Sequence, residues 1–132
     1  MLQFSEAVAM THKPTPNDSV IARLARSREI KISVIGRKSG RTISNPVWFA
    51  LDDDKLYLLP VQGSDTQWYK NVLKNPAMQI EAGGTKAGFK AIPVTSAKPV
   101  ASVVEKFRDK YGVGDVKKYY SKFDVAVLAE LQ

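Results

Sequence analysis

Between Gly36 and Thr42 the sequence reads GRKSGRT, which gathers Arg37, Lys38, Ser39 and Arg41 around two glycines. Guanidinium, ammonium and hydroxyl groups on a tight turn, together with its outward-facing backbone N–H groups, are donors suited to a phosphate or carboxylate. The alternative reading is a solvated hairpin tip. A nucleotide-hydrolysing phosphate loop is excluded, because it needs four residues between the glycines and a helix afterwards, whereas here the gap is shorter and a strand pattern follows.

Other chemistry is sparse. Without cysteine there is no thiolate zinc site and no cysteine nucleophile, and the single histidine, His12, cannot build a metal site or a catalytic triad alone. Asp52, Asp53 and Asp54 are adjacent rather than alternating, so they read as a solvated turn and not as a calcium loop. Trp48 and Phe49 point to opposite faces of a strand, one toward a core and the other toward a groove. Trp68 and Tyr69 open an internal helix, and packing is the commoner use of aromatic residues at such positions. The net charge of +7 favours anionic partners without choosing among them.

The elements that must position these residues follow from periodicity. Ser19 caps a short helix over Val20–Glu29, whose apolar stripe suits an open end of a barrel better than a membrane surface. Ile30–Ile35 alternates as a strand, Gly36–Asn45 turns the chain, and Pro46–Leu51 and Lys55–Val61 make two more strands around the Asp turn. Ser64 or Asp65 caps a helix ending at Asn75-Pro76, Gly83-Gly84 joins strands Met78–Ala82 and Thr85–Thr95, and Pro99 starts the clearest helix, which Gly112 closes. A turn or two of helix follows Asp115, and Phe123–Leu131 is the closing strand. Six antiparallel strands with flanking helices form a mainly β fold with α elements (α+β) that can close into a barrel. The length fits one domain, and neither a secretory signal nor an apolar span is present in the sequence, so the default expectation is a cytoplasmic protein with no membrane span. The strands lack the interleaved aromatic and basic residues of a nucleic-acid-binding face.

The order Gly36 to Gly40, then Asn45-Pro46-Val47-Trp48, then Gly63 to Pro76 with Trp68-Tyr69-x-Asn71-x-x-x-Asn75-Pro76, resembles the deazaflavin (coenzyme F420)-dependent nitroreductase and quinone reductase family over residues 30 to 130. The resemblance implies a six-stranded split β-barrel, pyridoxamine-phosphate-oxidase-like, over residues 18–132 behind a flexible N-terminal segment, 1–17. It implies a coenzyme F420 site, with FMN as the alternative. Arg37, Lys38 and Ser39 would grip the anionic tail, with Arg41 assisting. Asn45, Pro46, Val47, Trp48, Gln62, Gly63, Ser64 and Trp68 would border the ring. Hydride transfer to a small-molecule acceptor such as a quinone, an enone or a nitro compound follows, with Tyr111 and Tyr120 as proton donors and a homodimer as the expected assembly. The family's run of tyrosines spaced by three begins at Tyr111, but Gly114 and Lys117 fall at its next two places.

Overall fold

The structure, a computed structural model, describes residues 21–132. The expected segment 1–17, His12 and the cap at Ser19 lie outside the described residues. Helical backbone runs over residues 21–24 and then unwinds, so the helix expected to continue to Glu29 ends early. Leu24 is 1% exposed and Ile21 packs on the same apolar cluster, which places this turn over the barrel interior.

Strand β1 (Ile30–Ile35) buries Ile30, Ile32 and Val34 on one face. The chain then turns at Gly36–Arg41, where Gly36 N–H donates to Arg41 O at 2.8 Å and Gly40 takes φ +71°, a conformation glycine reaches without strain. Strand β2 (Thr42–Val47) returns antiparallel, pairing Ile35 with Thr42 through to Ile30 with Val47. The remaining strands are β3 (Phe49–Asp52), β4 (Lys55–Leu58), β5 (Ala77–Ala82), β6 (Thr85–Val94) and β7 (Ala126–Leu131). Helices α1 (Gln67–Lys74), α2 (Ala97–Tyr111) and α3 (Val113–Tyr119) complete the fold, with a short 3-10 turn at Gly63–Asp65.

The seven strands pair antiparallel throughout, in the order β2-β1-β5-β6-β7-β4-β3. The expected six strands are therefore seven. The extra one is β2, expected as a turn, and the single strand expected over Pro46–Leu51 is split at Trp48 into the end of β2 and the start of β3. These two strands are the opposite edges of the sheet, yet only one residue separates them. The covalent chain at Trp48 thus holds the curled sheet nearly closed, while the outer edge of β2 has no strand partner among the described residues. Pro46 sits in this edge strand, where a missing N–H costs no ladder bond if it faces outward.

Two apolar clusters hold the molecule together. The barrel interior collects Ile32, Phe49, Leu56, Leu58 and Ile80, all at 0% exposure, with Trp68, Tyr69 and Val72 of α1 closing one side. On the other face of β3 and β4, α2 packs Val100, Val103, Val104, Phe107 and Tyr111 with Val116 and Tyr120. Phe107 is fully buried, and removing its ring would cost about 3–5 kcal/mol. Pro99 lies inside the first turn of α2 rather than at its start, and Ser96 is the N-cap residue. At the other end, Gly112 takes φ +96° and donates to Arg108 O.

Candidate functional site

The cationic turn is braced from beneath by α1. Asn71, at 4% exposure the one buried polar residue among those described, accepts through Oδ1 from the Arg37 N–H at 3.1 Å and from the Arg37 guanidinium at 2.8 Å. A second guanidinium nitrogen donates to Gln67 Oε1 at 2.8 Å, and Lys74 Nζ donates to the Arg37 carbonyl at 3.1 Å. Arg37 is thus half-buried and tied to α1, whereas Lys38, Ser39 and Arg41 remain exposed. The Ser39 hydroxyl oxygen accepts from the Arg41 N–H at 3.1 Å, which sets the tip of the turn. An open cavity of about 450 Å³ lies between Ile35–Gly40 and the Lys74–Asn75 end of α1.

A second cleft, of about 160 Å³, is lined by Glu29, Pro46, Val47, Trp48, Leu59, Val61, Trp68, Tyr119 and Tyr120. Helix α1 joins the two: Trp68 at its start lines the aromatic cleft and Lys74 at its end lines the cationic cavity. Six residues at 1.5 Å rise put their Cα atoms about 9 Å apart along the helix. The structure therefore brings Pro46, Val47, Trp48, Trp68 and Tyr120 into one wall and Arg37, Lys38 and Ser39 into another. Asn45, opposite Ile32 in the sheet, lies between them on β2.

Tyr111 does not reach this cleft as a free donor. Its hydroxyl donates to the carbonyl of Arg28 and accepts from the Phe49 N–H at 3.2 Å, and the residue is 6% exposed. Burial pushes its phenol up from the usual range. Its ring backs Trp48, stacked at 4.1 Å with planes 8° apart. The Tyr111 hydroxyl, expected as a proton donor, is thus engaged by backbone groups. Tyr120 does line the cleft. At 6% exposure its hydroxyl has no hydrogen-bond partner among the described residues, and burial, with Tyr111 beside it, raises its phenol well beyond the ordinary range.

The segment Gln62–Ser64 serves as a latch. The Ser64 N–H donates to Asp124 Oδ1 at 2.9 Å, and its hydroxyl donates to the other carboxylate oxygen. Lys122 bridges Asp65 and Asp124 at 3.2 and 3.6 Å. Ser64 is therefore satisfied within the chain and is not the cap of α1, which is Thr66. Gln62 donates its N–H to Thr66 Oγ1. Val61, just before this segment, lines the cleft, whereas Gln62, Gly63 and Ser64 do not.

Sequence reasoning overlooked Lys74 and Lys110. Lys110, near the end of α2, donates to the Phe49 carbonyl at 2.9 Å and stands 3.4 Å over the Phe49 ring. Burial, then the Arg28 charge, holds its ammonium down to about 8. A larger groove of about 700 Å³ runs along α2 past Val100, Val104 and Phe123, but its charged groups pair with one another or with the latch. Asp52 ends β3 and pairs with Lys106 at 3.6 Å, while Asp53, at φ +56°, and Asp54 turn the chain into β4. No helix among them is long and apolar enough to cross a membrane.

Residues 20–126 match the model of a family described as an uncharacterized protein conserved in bacteria (DUF2255). No curated protein matches the sequence. Among solved structures the chain is similar to an F420-H2 dependent reductase (FDR-A), with TM-score 0.62 and 17% identity over 78% of this chain and 94% of that one. It is similar to a protein from Listeria innocua assigned as a pyridoxamine 5'-phosphate oxidase (0.67, 13% identity, 89% and 94% covered). It is also similar to HutZ, the heme storage protein of Vibrio cholerae (0.66, 12% identity, 92% of both chains). Identities this low establish the fold, a split β-barrel with flanking helices.

Proposed function

We propose that this chain, which belongs to the bacterial family DUF2255, is a cofactor-binding oxidoreductase that holds reduced coenzyme F420 between the cationic turn and the mouth of the aromatic cleft. The observation that carries the reading is α1 itself, with an aromatic wall at Trp68 and cations at Lys74 and the Arg37–Arg41 turn about one arm's length apart. Lys38 and Arg41 offer exposed charge-assisted donors to a phosphate or carboxylate, and Arg37, pinned by Asn71, sets the turn's direction. A cleft of about 160 Å³ is too small to enclose three fused rings, so the ring lies across its mouth, against Pro46–Trp48 and beside the free edge of β2. Asn45 borders the ring from β2. When bound, the reduced deazaflavin supplies a hydride, and the protein positions and shields the acceptor.

FMN is the second cofactor reading, since it presents a phosphate to the same turn at a similar reach. A carrier role without turnover is favoured for neutral acceptors by one observation: the Tyr111 hydroxyl, expected as proton donor, is bonded to backbone. The assembly proposed is a homodimer, in line with a structurally similar chain described as a domain-swapped dimer.

Titration with reduced F420 and with FMN, read by the fluorescence of Trp48 and Trp68, tests the proposal. Binding of F420 in preference to FMN is expected, and Lys38→Ala/Arg41→Ala should weaken it about tenfold, at about 1 kcal/mol or less per exposed contact. Failure of both cofactors to bind overturns it.

A further inference from the structure

We infer that the aromatic cleft receives a small flat organic cation, a single six-membered iminium or pyridinium ring, as the acceptor beside the cofactor. Its redox role rests on the function proposed above; its binding does not.

Size is the first argument. An apolar cavity of about 150 Å³ holds one benzene-sized ring. At about 160 Å³ this cleft matches a monocycle.

The lining is the second argument. Trp48, Trp68, Tyr119 and Tyr120 surround the space, and indole and phenol faces attract cations through their quadrupoles. Glu29 stands on the rim, and among the described residues it has neither an ion pair nor a hydrogen bond. An unspent carboxylate over aromatic walls is a cation's complement. The buried Tyr120 hydroxyl, also without a hydrogen-bond partner among the described residues, can accept from a ring N–H or turn toward a ring substituent. This corner already seats the chain's own cations on ring faces, with Arg28 5.1 Å from the Tyr111 centroid and Lys118 5.2 Å from that of Tyr119. These two charges oppose a further cation, so the preference is of moderate size.

Proton supply is the third argument. Reducing a quinone, an enone or a nitro group takes up a proton along with the hydride. The Tyr111 hydroxyl is bound to backbone, and the Tyr120 phenol is pushed far up by burial, so neither releases one readily. An iminium carbon needs none. The hydride's electron pair, given up by the reduced deazaflavin, becomes the new C–H bond. The C=N π pair would settle on nitrogen as a lone pair, so the acceptor loses its positive charge. The carbon would be reduced, and the oxidised deazaflavin would take over that charge and lose it as its own ring N–H proton to solvent, so the acceptor draws no proton from the chain.

Both tryptophans of the chain line the cleft, so their two indole N–H signals in an ¹H–¹⁵N spectrum report its occupancy without any cofactor. The probes are N-methylpyridinium and toluene, which share a shape and differ in charge. The cation should give saturable shifts at about tenfold lower concentration than toluene, a cation–π and ion-pair gain of about 1.4 kcal/mol. Glu29→Gln, a change at an exposed position, should shrink that difference to the cation–π part while leaving the spectrum folded. Equal concentrations for the two probes, or an unchanged preference in Glu29→Gln, overturns the inference. The same sample titrated with F420 and FMN separates the two readings. A cation preference without cofactor binding leaves the site and removes its redox role, and cofactor binding without the preference removes this inference alone.

Discussion

The indole of Trp48 lies flat on the ring of Tyr111, with centroids 4.1 Å apart and planes 8° from parallel. Trp48 is the single residue between the two edge strands of the sheet, and Tyr111 is the last residue of α2. The stack therefore fastens the closing point of the barrel to the long helix. The Tyr111 hydroxyl adds a second fastening, to Arg28 and Phe49 on either side.

Tyr111→Phe should lower stability and leave cofactor affinity unchanged. The ring stays, but the buried Phe49 N–H and the Arg28 carbonyl lose their partner, at a cost of about 1–3 kcal/mol. Urea unfolding monitored by circular dichroism measures this. A variant as stable as the parent would remove the fastening role assigned to the hydroxyl.

Stability should rise between about pH 8 and pH 10 because of Lys110. Its folded-state value is held down to about 8 by burial and then by Arg28, while the unfolded chain keeps the proton up to 10.5. Across that window the unfolded state binds more protons, so raising the pH favours the folded state. The raised phenols of Tyr69, Tyr111 and Tyr120 act in the opposite direction only above their ordinary value of 10.0. Thermal midpoints of the parent and of Lys110→Met at pH 7.5 and 9.5 should diverge, with the rise confined to the parent. Identical pH dependence in both would show that the ammonium is not desolvated.

Periodicity carried the barrel interior and α2, because Ile30–Ile35 alternates cleanly and Val100, Val103, Val104, Phe107 and Tyr111 follow the helical stripe. It could not carry β2. The segment TISNPV is mostly exposed and pairs on one side only, so no buried face marks it as a strand. The chain break at Trp48 is likewise a property of barrel closure rather than of local sequence. Within the site, GRKSG was legible as a cationic turn, but its tether was not. Asn71 meets Arg37 across 34 residues of chain, and nothing local reveals that a helix asparagine faces a distant turn. Ser64 likewise resembles a helix cap until its hydroxyl is seen on Asp124.

Gly63→Ala should release the latch. Gly63 holds φ +53°, and an added Cβ would stand 2.1 Å from Asp124 Oδ1, so the Ser64–Asp124 bonds cannot survive unchanged. With backbone strain added, the loss should be about 1–3 kcal/mol. The Asp124 carboxyl is held below its usual range chiefly by the Ser64 hydroxyl. Its contribution is present above the ordinary carboxylate value and is lost as pH falls through the lowered one. Thermal midpoints between pH 6 and 3 should therefore fall more steeply in the parent than in Asp124→Asn, and parallel curves would refute the latch.

Salt should separate the two ways in which the turn serves a bound anion. Lys38 and Arg41 are exposed, so their attraction for a phosphate or carboxylate is screened, with a Debye length of about 10 Å at 0.1 M falling to about 3 Å at 1 M. Reduced F420, with a glutamate tail beyond its phosphate, should bind with a steeper salt dependence than FMN. Lys38→Ala/Arg41→Ala should flatten that dependence for F420 toward that of FMN. Asn71→Ala removes no charge but takes away two of the bonds that hold Arg37 to α1, so it should weaken binding at every salt concentration while the slope stays that of the parent. Affinities at 0.05, 0.15 and 0.5 M chloride provide the comparison. If the double variant keeps the parent's slope, the exposed cations do not meet the ligand. If Asn71→Ala binds as the parent does, the tether to α1 plays no part in presenting the turn.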